Sequence, residues 1–294
     1  MSDARYGRTL RGVACALALG LIVAGCGGGG GGGGGKYGGA AAPPKPAGHA
    51  ASAAPRFKRL SAPAHPVPHS VRVPILTYHR VHQYATELTK SQPDLTIEPG
   101  NFRDQMAALR RAGYHTITQA QLFDAIYRSA ALPRRPVIVS VDDGYVDDVT
   151  QILPVLRRNR MVATFYVITG RTHEPGFLSA RQIRSLDSAG MDVGAHTRTH
   201  ANLPALPATV LRNEVAGSHD DLQRILGHPV YWFAYPFGAF NPTVVDAVRR
   251  AGFLLAVTTR GGSTAYSTGP YAIPRIHVGR SATAQSVVSL AGGP

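Results

Sequence analysis

Three stretches of this chain end in the same way. "ALRRAGYHTI", "SLDSAGMDVGA" and "AVRRAGFLLAV" each close an amphipathic segment with Ala-Gly and then run into apolar sequence. Glycine just past a helix takes the left-handed conformation that stops it, so each stretch reads as helix, stop, strand. The starts agree: Asn101, Ser179 and Asn241 with Pro242 stand where N-caps and a first-turn proline belong. Between the helices lie "VRVPILTY", "PVIVSV", "ATFYVIT", "MDVGA", "YWFAY", "LLAVTT" and "YAIPRIHV". Several are continuously apolar, as parallel strands covered on both faces must be. Repeated βα units of this kind give an α/β fold, closed into a barrel or open as a doubly wound sheet. In both, functional residues gather at the carboxyl ends of the strands.

The segment before residue 71 does not take part in this pattern. Arg5, Arg8 and Arg11 precede a short apolar run that leads through small residues to Cys26, which is the layout of an export signal. Val23-Ala24-Gly25-Cys26 resembles the bacterial lipobox, which implies a signal peptide over 1–25 and a lipid-modified Cys26. Cys15 would then leave with the signal, and the exported chain would hold no disulfide. Residues 26–70 are rich in Gly, Ala and Pro and too poor in apolar pattern to bury a core, so they read as a linker to a domain over 71–294. Of the formal net charge of +14, the leader carries +2 and the linker +5, which leaves +7 on the domain. That balance suits an anionic envelope surface or glycan. With no basic-aromatic stripe, nucleic acid is excluded as a partner.

The strand-end rule selects the chemistry. "PVIVSVDDGY" delivers Asp142 and Asp143 at the end of an apolar run, with Gly144 allowing a sharp turn. Adjacent carboxylates repel unless a cation or a shared proton sits between them; the alternative is that they cap the next helix. "MDVGAHTRTH" delivers His196 at another strand end, with His200 four residues on, the spacing that puts two side chains on one face of a helical turn. One Asp with two His is a common set for a catalytic divalent metal that keeps positions open.

"SVDDGY", "HTRTH" and "YPFG", in this order, closely resemble the polysaccharide deacetylases, carbohydrate esterase family 4. "PILTYHRV" resembles the branch that deacetylates poly-N-acetylglucosamine. The resemblance implies a distorted (β/α) barrel. It implies Asp143, His196 and His200 as metal ligands, Asp142 as general base and His79 as general acid. It also places the Phe237 backbone N–H, with Tyr235, on the oxyanion and substrate side. Two departures stand out. Ala234 occupies the place where many members carry an arginine that contacts the catalytic aspartate; Arg275 in "IPRIHV" could replace it, or could be a rim arginine. Ser140-Val141 stands for the usual Thr-Phe.

The expected protein is therefore a lipid-anchored, metal-dependent polysaccharide N-deacetylase of the bacterial cell envelope or biofilm matrix. It would be a monomer on the outer membrane facing the periplasm, acting on an acetylated, N-acetylglucosamine-containing polysaccharide. Zinc is the expected ion, with Co²⁺, Ni²⁺ or Fe²⁺ as alternatives for the same ligands. The competing readings are an O-acetyl glycan esterase on the same scaffold and a catalytically weak glycan-binding lipoprotein.

Overall fold

Pro74 divides the first apolar run, and the division shapes the whole domain. In a computed structural model that describes residues 59–84 and 93–293, Ser70–Arg72 forms β1 and Ile75–Tyr78 forms β2. The signal peptide, Cys26 and the linker as far as residue 58 lie outside the described residues. The remaining elements follow in chain order. They are β3 (Arg80–Val81), β4 (Thr96–Ile97), α1 (Pro99–Arg111), β5 (His115–Thr116), α2 (Gln119–Arg128) and β6 (Pro136–Val141). Next come α3 (Leu153–Asn159), β7 (Thr164–Val167), α4 (Ala180–Ser188), β8 (Asp192–Ala195), α5 (Ala208–Leu226) and β9 (Trp232–Ala234). The last are α6 (Pro242–Arg250), β10 (Leu255–Val257), β11 (Thr264–Tyr266), β12 (Ile276–His277) and α7 (Ala284–Leu290).

The main sheet runs β10-β9-β8-β7-β6-β2-β12, with β5 beside β6, and every pairing in it is parallel. β1 stays out of it and pairs antiparallel with β11. The sheet curls on itself. Ile273 bridges to Val257 at the end of β10, and three residues later Ile276 pairs with Leu76 of β2, so one short segment spans from one edge to the other. This is a barrel-like α/β fold in which the strands of the main sheet all point their carboxyl ends to one rim.

The core has two layers. Inside the curl, Ile75, Ile138, Tyr166, Trp232, Leu255 and Val257 pack on Leu122, Phe123 and Ile126 of α2, which plugs the end opposite the rim. Outside, the other sheet faces meet the surrounding helices through Leu76, Val139, Phe165, Phe233 and their partners. The inner wall leaves no space at Gly194: a Cβ there would lie 2.7 Å from the Tyr166 ring and 2.8 Å from the Trp232 carbonyl.

Ser179 and Asn241 cap their helices as read, accepting from the N–H groups of Gln182 and Val244. Asn101 does not. α1 begins at Pro99 with Glu98 as its cap, because Pro99 already supplies first-turn geometry and leaves Asn101 inside the helix. Of "YAIPRIHV", only Ile276–His277 is strand. Contacts with the domain reach back before residue 71: the Leu60 N–H donates to the Tyr231 hydroxyl, and Ser267 Oγ donates to the Val67 carbonyl.

Candidate active site and metal centre

Where β6 ends, the backbone turns at once. Asp143 has φ 80° and Gly144 φ 75°. A Cβ on Gly144 would crowd Val167 at 3.1 Å, so glycine is needed there for space as well as for φ. Asp142 and Asp143 thereby face different ways from one strand end.

His196 follows β8 directly, but His196 and His200 do not share a helical turn. The chain between them is an irregular loop in which Thr197 and His200 each have φ 63°. Hydrogen bonds hold this costly shape. His200 N–H donates to Thr197 Oγ1 at 2.9 Å. Glu214, buried on α5, accepts from the N–H groups of Arg198 and Thr199 at 3.0 and 2.9 Å and from the Thr199 hydroxyl at 2.9 Å. Arg198 in turn grips Asp221 of the same helix at 2.8 Å. The two histidines do come together, but through a loop with left-handed residues and not through the helical turn that their spacing suggests.

Both Nε2 atoms stand 3.6 Å from Asp143 Oδ1, and the three ligand atoms lie within 4.8 Å of one another. His196 Nδ1 is 2.8 Å from the Ala234 carbonyl, which can only accept, so Nδ1 carries the proton and Nε2 presents a lone pair. Asp143 Oδ1 is buried and has no hydrogen-bond partner among the described residues. Lone pairs therefore converge where a cation is wanted. Burial, and then the neighbouring Asp142 charge, push Asp143 up to about 7, while burial pushes His196 down to about 3 and lowers His200. Without a cation the trio is driven toward neutrality, and the donor set fits a divalent metal ion.

Asp142 has the opposite surroundings. Arg275 Nη1 and Nη2 each donate to one of its oxygens at 2.7 Å, and Arg275 Nε donates to the Thr258 carbonyl at 2.9 Å. Burial alone would raise Asp142, but the Arg275 charge and its two hydrogen bonds outweigh that and hold the carboxyl below the usual range. Arg275 is fully buried, so it is not a rim arginine. It sits on the segment that joins the two edges of the sheet.

His79 follows β2 and lines the same cavity, of about 450 Å³, as Asp142, Asp143, His196 and His200. Burial pushes it down to about 4 despite the pull of Asp142, so the ring is neutral at neutral pH in the free protein. Its Nδ1 is buried without a partner among the described residues. Phe237 has φ 58° and lies in the first turn of a short 3-10 segment, where N–H groups have no acceptor within the helix. Its exposed ring lies 4.6 Å from that of His200. Tyr235 lines the cavity but has no donor to spare: its N–H goes to the Val257 carbonyl and its hydroxyl to the Tyr271 carbonyl. The sequence did not mark Asp94, Thr259 and His277, which also line the cavity. His277 Nε2 stands 3.1 Å from Asp94 Oδ2, a pairing across 183 positions that no local pattern announces.

Comparison with known proteins agrees with this geometry. Residues 129–256 match the polysaccharide deacetylase family, a span that includes the Asp pair and both histidines and stops short of His79 and Arg275. The Bacillus subtilis protein YxkH is 26% identical over 207 residues, 70% of this chain and 71% of that protein. A poly-β-1,6-N-acetyl-D-glucosamine N-deacetylase of Staphylococcus aureus is 22% identical over 226 residues, 68% of this chain and 77% of that protein. Among solved structures, the Streptococcus pyogenes deacetylase PplD in complex with acetate superposes with a TM-score of 0.70 at 25% identity, over 76% of this chain and 99% of that one. IcaB from Ammonifex degensii does so with a TM-score of 0.65 at 26% identity, over 75% and 97%. Residues 129–256, with the strand-end carboxylate pair and the two histidines, thus form a stretch that matches the polysaccharide deacetylase family, and the fold around them is similar to that of solved deacetylases.

Proposed function

We propose that the domain removes N-acetyl groups from an N-acetylglucosamine-containing polysaccharide of the cell envelope or biofilm matrix, using one divalent ion, most simply zinc. One observation carries this reading: a carboxylate held ionised by a buried arginine shares a cavity with an Asp-His-His trio whose ligand atoms lie within 4.8 Å of one another. The Staphylococcus aureus relative, named for poly-β-1,6-N-acetyl-D-glucosamine, supports the glycan class.

When bound, the ion supplies a Lewis acid and a lowered pKa for water. The chain's residues do the rest. Asp142, kept as a carboxylate by Arg275, accepts a proton from the attacking water. The Phe237 N–H donates toward the oxygen that becomes negative as the carbonyl carbon turns tetrahedral. His79 passes a proton to the departing sugar nitrogen as the C–N bond breaks, giving acetate and a free amine. Because the free protein keeps His79 neutral, that proton arrives during the reaction, and the proton released from water is the nearest source.

Ester hydrolysis needs the same base and ion, so an O-acetyl esterase is the second reading. The binding-only reading rested on the arginine missing at Ala234, and the grip of Arg275 on Asp142 takes away that ground. Acetate release from N-acetylglucosamine oligomers and from an O-acetylated glycan, each with and without chelator, separates the readings. The N-acetyl substrate should win, and chelator should abolish its turnover. Release only from the ester would favour the esterase, and release from neither despite bound metal would sink both.

The lipid anchor at Cys26 and the envelope location belong to the same proposal and rest on the lipobox resemblance. Cys26→Ser should abolish lipid labelling and leave a soluble or retained precursor on fractionation. Unchanged membrane labelling would refute the anchor.

A further inference from the structure

At the end of the barrel opposite the catalytic rim, three separate segments bring their arginines to one corner. α1 ends in Arg110 and Arg111, the approach to β6 holds Arg134 and Arg135, and the end of α3 carries Arg157 and Arg158, with Arg160 just beyond. All seven are exposed. Hydrogen bonds show that the segments meet. Arg135 Nη1 donates to the Ala112 carbonyl at 2.6 Å, His115 Nδ1 lies 2.9 Å from the Arg134 carbonyl, and Val162 N–H donates to Thr116 Oγ1 at 2.8 Å. The carboxyl-terminal tail closes the same corner, since the Tyr114 hydroxyl donates to the Ala291 carbonyl at 3.0 Å. Arg72 lies there too, with Nη2 3.2 Å from where a Cβ on Gly292 would be.

No Asp or Glu occurs in 105–117, 129–136 or 153–163, the stretches that build this corner. Among the described residues none of Arg110, Arg111, Arg134, Arg157, Arg158 and Arg160 forms an ion pair. Arginines at helix ends complement the helix dipole, and that would account for those of α1 and α3. It does not account for Arg134, Arg135 or Arg160, nor for the complete absence of acids.

The first described residues reach the domain at this same end. Leu60 packs on the inner cluster that contains the plug helix α2 and Trp232. Leu60 thus lies at the end of the barrel where the arginines gather, and the cavity opens at the other.

We infer that this corner docks the domain on an anionic phospholipid bilayer and thereby turns the cavity away from the membrane, toward a polymer outside it. The electrostatic contact needs no apolar insertion, because several unpaired guanidinium groups beside one another suffice to hold a basic face against anionic headgroups. It goes beyond the deacetylase reading and does not depend on it. The anchor at Cys26 would set the domain's distance from the bilayer, and the arginine corner would set its orientation.

The test uses the full chain mixed with vesicles of phosphatidylcholine alone, or with phosphatidylglycerol added. Vesicle flotation reports association, and an arginine-directed dicarbonyl reagent, read out by mass spectrometry, reports which side chains are covered. Arg110, Arg111, Arg157 and Arg158 should react at least about fivefold more slowly on the anionic vesicles, the factor that one arginine near an anionic surface corresponds to. Arg212, exposed on α5, should react equally on both. Raised salt should remove the difference.

A chain carrying Arg110→Gln, Arg111→Gln, Arg157→Gln and Arg158→Gln should lose the protection of Arg134 and Arg160 while releasing acetate from soluble oligomers at the unaltered rate. Equal reactivity on both vesicles, or no association with either, would overturn the inference. Protection by a soluble anionic polysaccharide but not by vesicles would also overturn it, and would make the corner a polymer-binding face.

Discussion

Asp142 and Asp143 carry the same side chain at adjacent positions, and their partners make them chemically opposite. Asp142 spends both oxygens on Arg275, whereas Asp143 turns an oxygen with no hydrogen-bond partner among the described residues toward the Nε2 atoms of two imidazoles. The proposed base and the proposed ligand are thus separated by one turn of backbone. His79 is the residue whose proposed role is most open to test. His79→Ala should keep its metal yet lose N-deacetylation by roughly 10²–10⁴-fold, while an activated aryl acetate, whose leaving group departs without a proton, should lose much less. Equal losses on both substrates, with metal content checked, would make His79 structural. At this scale the sequence was informative wherever a side chain ends a strand, which is how Asp142, Asp143 and His196 could be placed together. It was silent where a role depends on a distant partner. Nothing near Glu214 shows that it holds the Arg198–Thr199 backbone, and nothing near Tyr235 shows that its donors are already committed to Val257 and Tyr271.

Among the elements, β8 has the least freedom. It must pass close to Tyr166 and the Trp232 carbonyl and then deliver His196 two residues later, which only a residue without Cβ permits at 194. Gly194→Ala should cost about 1–3 kcal/mol, the usual range for overpacking a tight core. It should also lower metal content, because β8 can relieve the clash only by moving the histidine. Thermal unfolding together with metal analysis checks both, and a stable variant with reduced metal would be the clearest outcome. Full metal occupancy would show that the wall yields elsewhere. The strands of the main sheet were legible because continuous apolar runs have few other uses in a chain of this kind. α2 was not, since its apolar side faces the inside of a barrel and gives no sequence sign distinct from that of an outer helix. The two halves of "VRVPILTY" were also beyond reach, because Pro74 marks a break without saying which half enters the sheet.

The molecule as a whole gathers the Asp-His-His trio from the ends of β6 and β8 and the partner of the proposed base from the segment that closes the sheet, so an ion bound to the trio should stabilise the entire domain. Zinc at about a hundred times its dissociation constant should add about 2.7 kcal/mol. For a domain of this size that raises the melting temperature by roughly 5–10 °C, and chelator should reverse it. A melting temperature indifferent to both, in a folded sample, would mean that the trio does not hold the ion. Asp143, Thr197, His200 and Phe237 all sit at positive φ, a conformation that none of these residues prefers. No peptide cut from this chain would reproduce such a site, and no half-folded intermediate should carry it. Metal content in a purified sample would then count finished molecules, and for anyone producing the protein it would serve as an assay of folding before it served as an assay of catalysis.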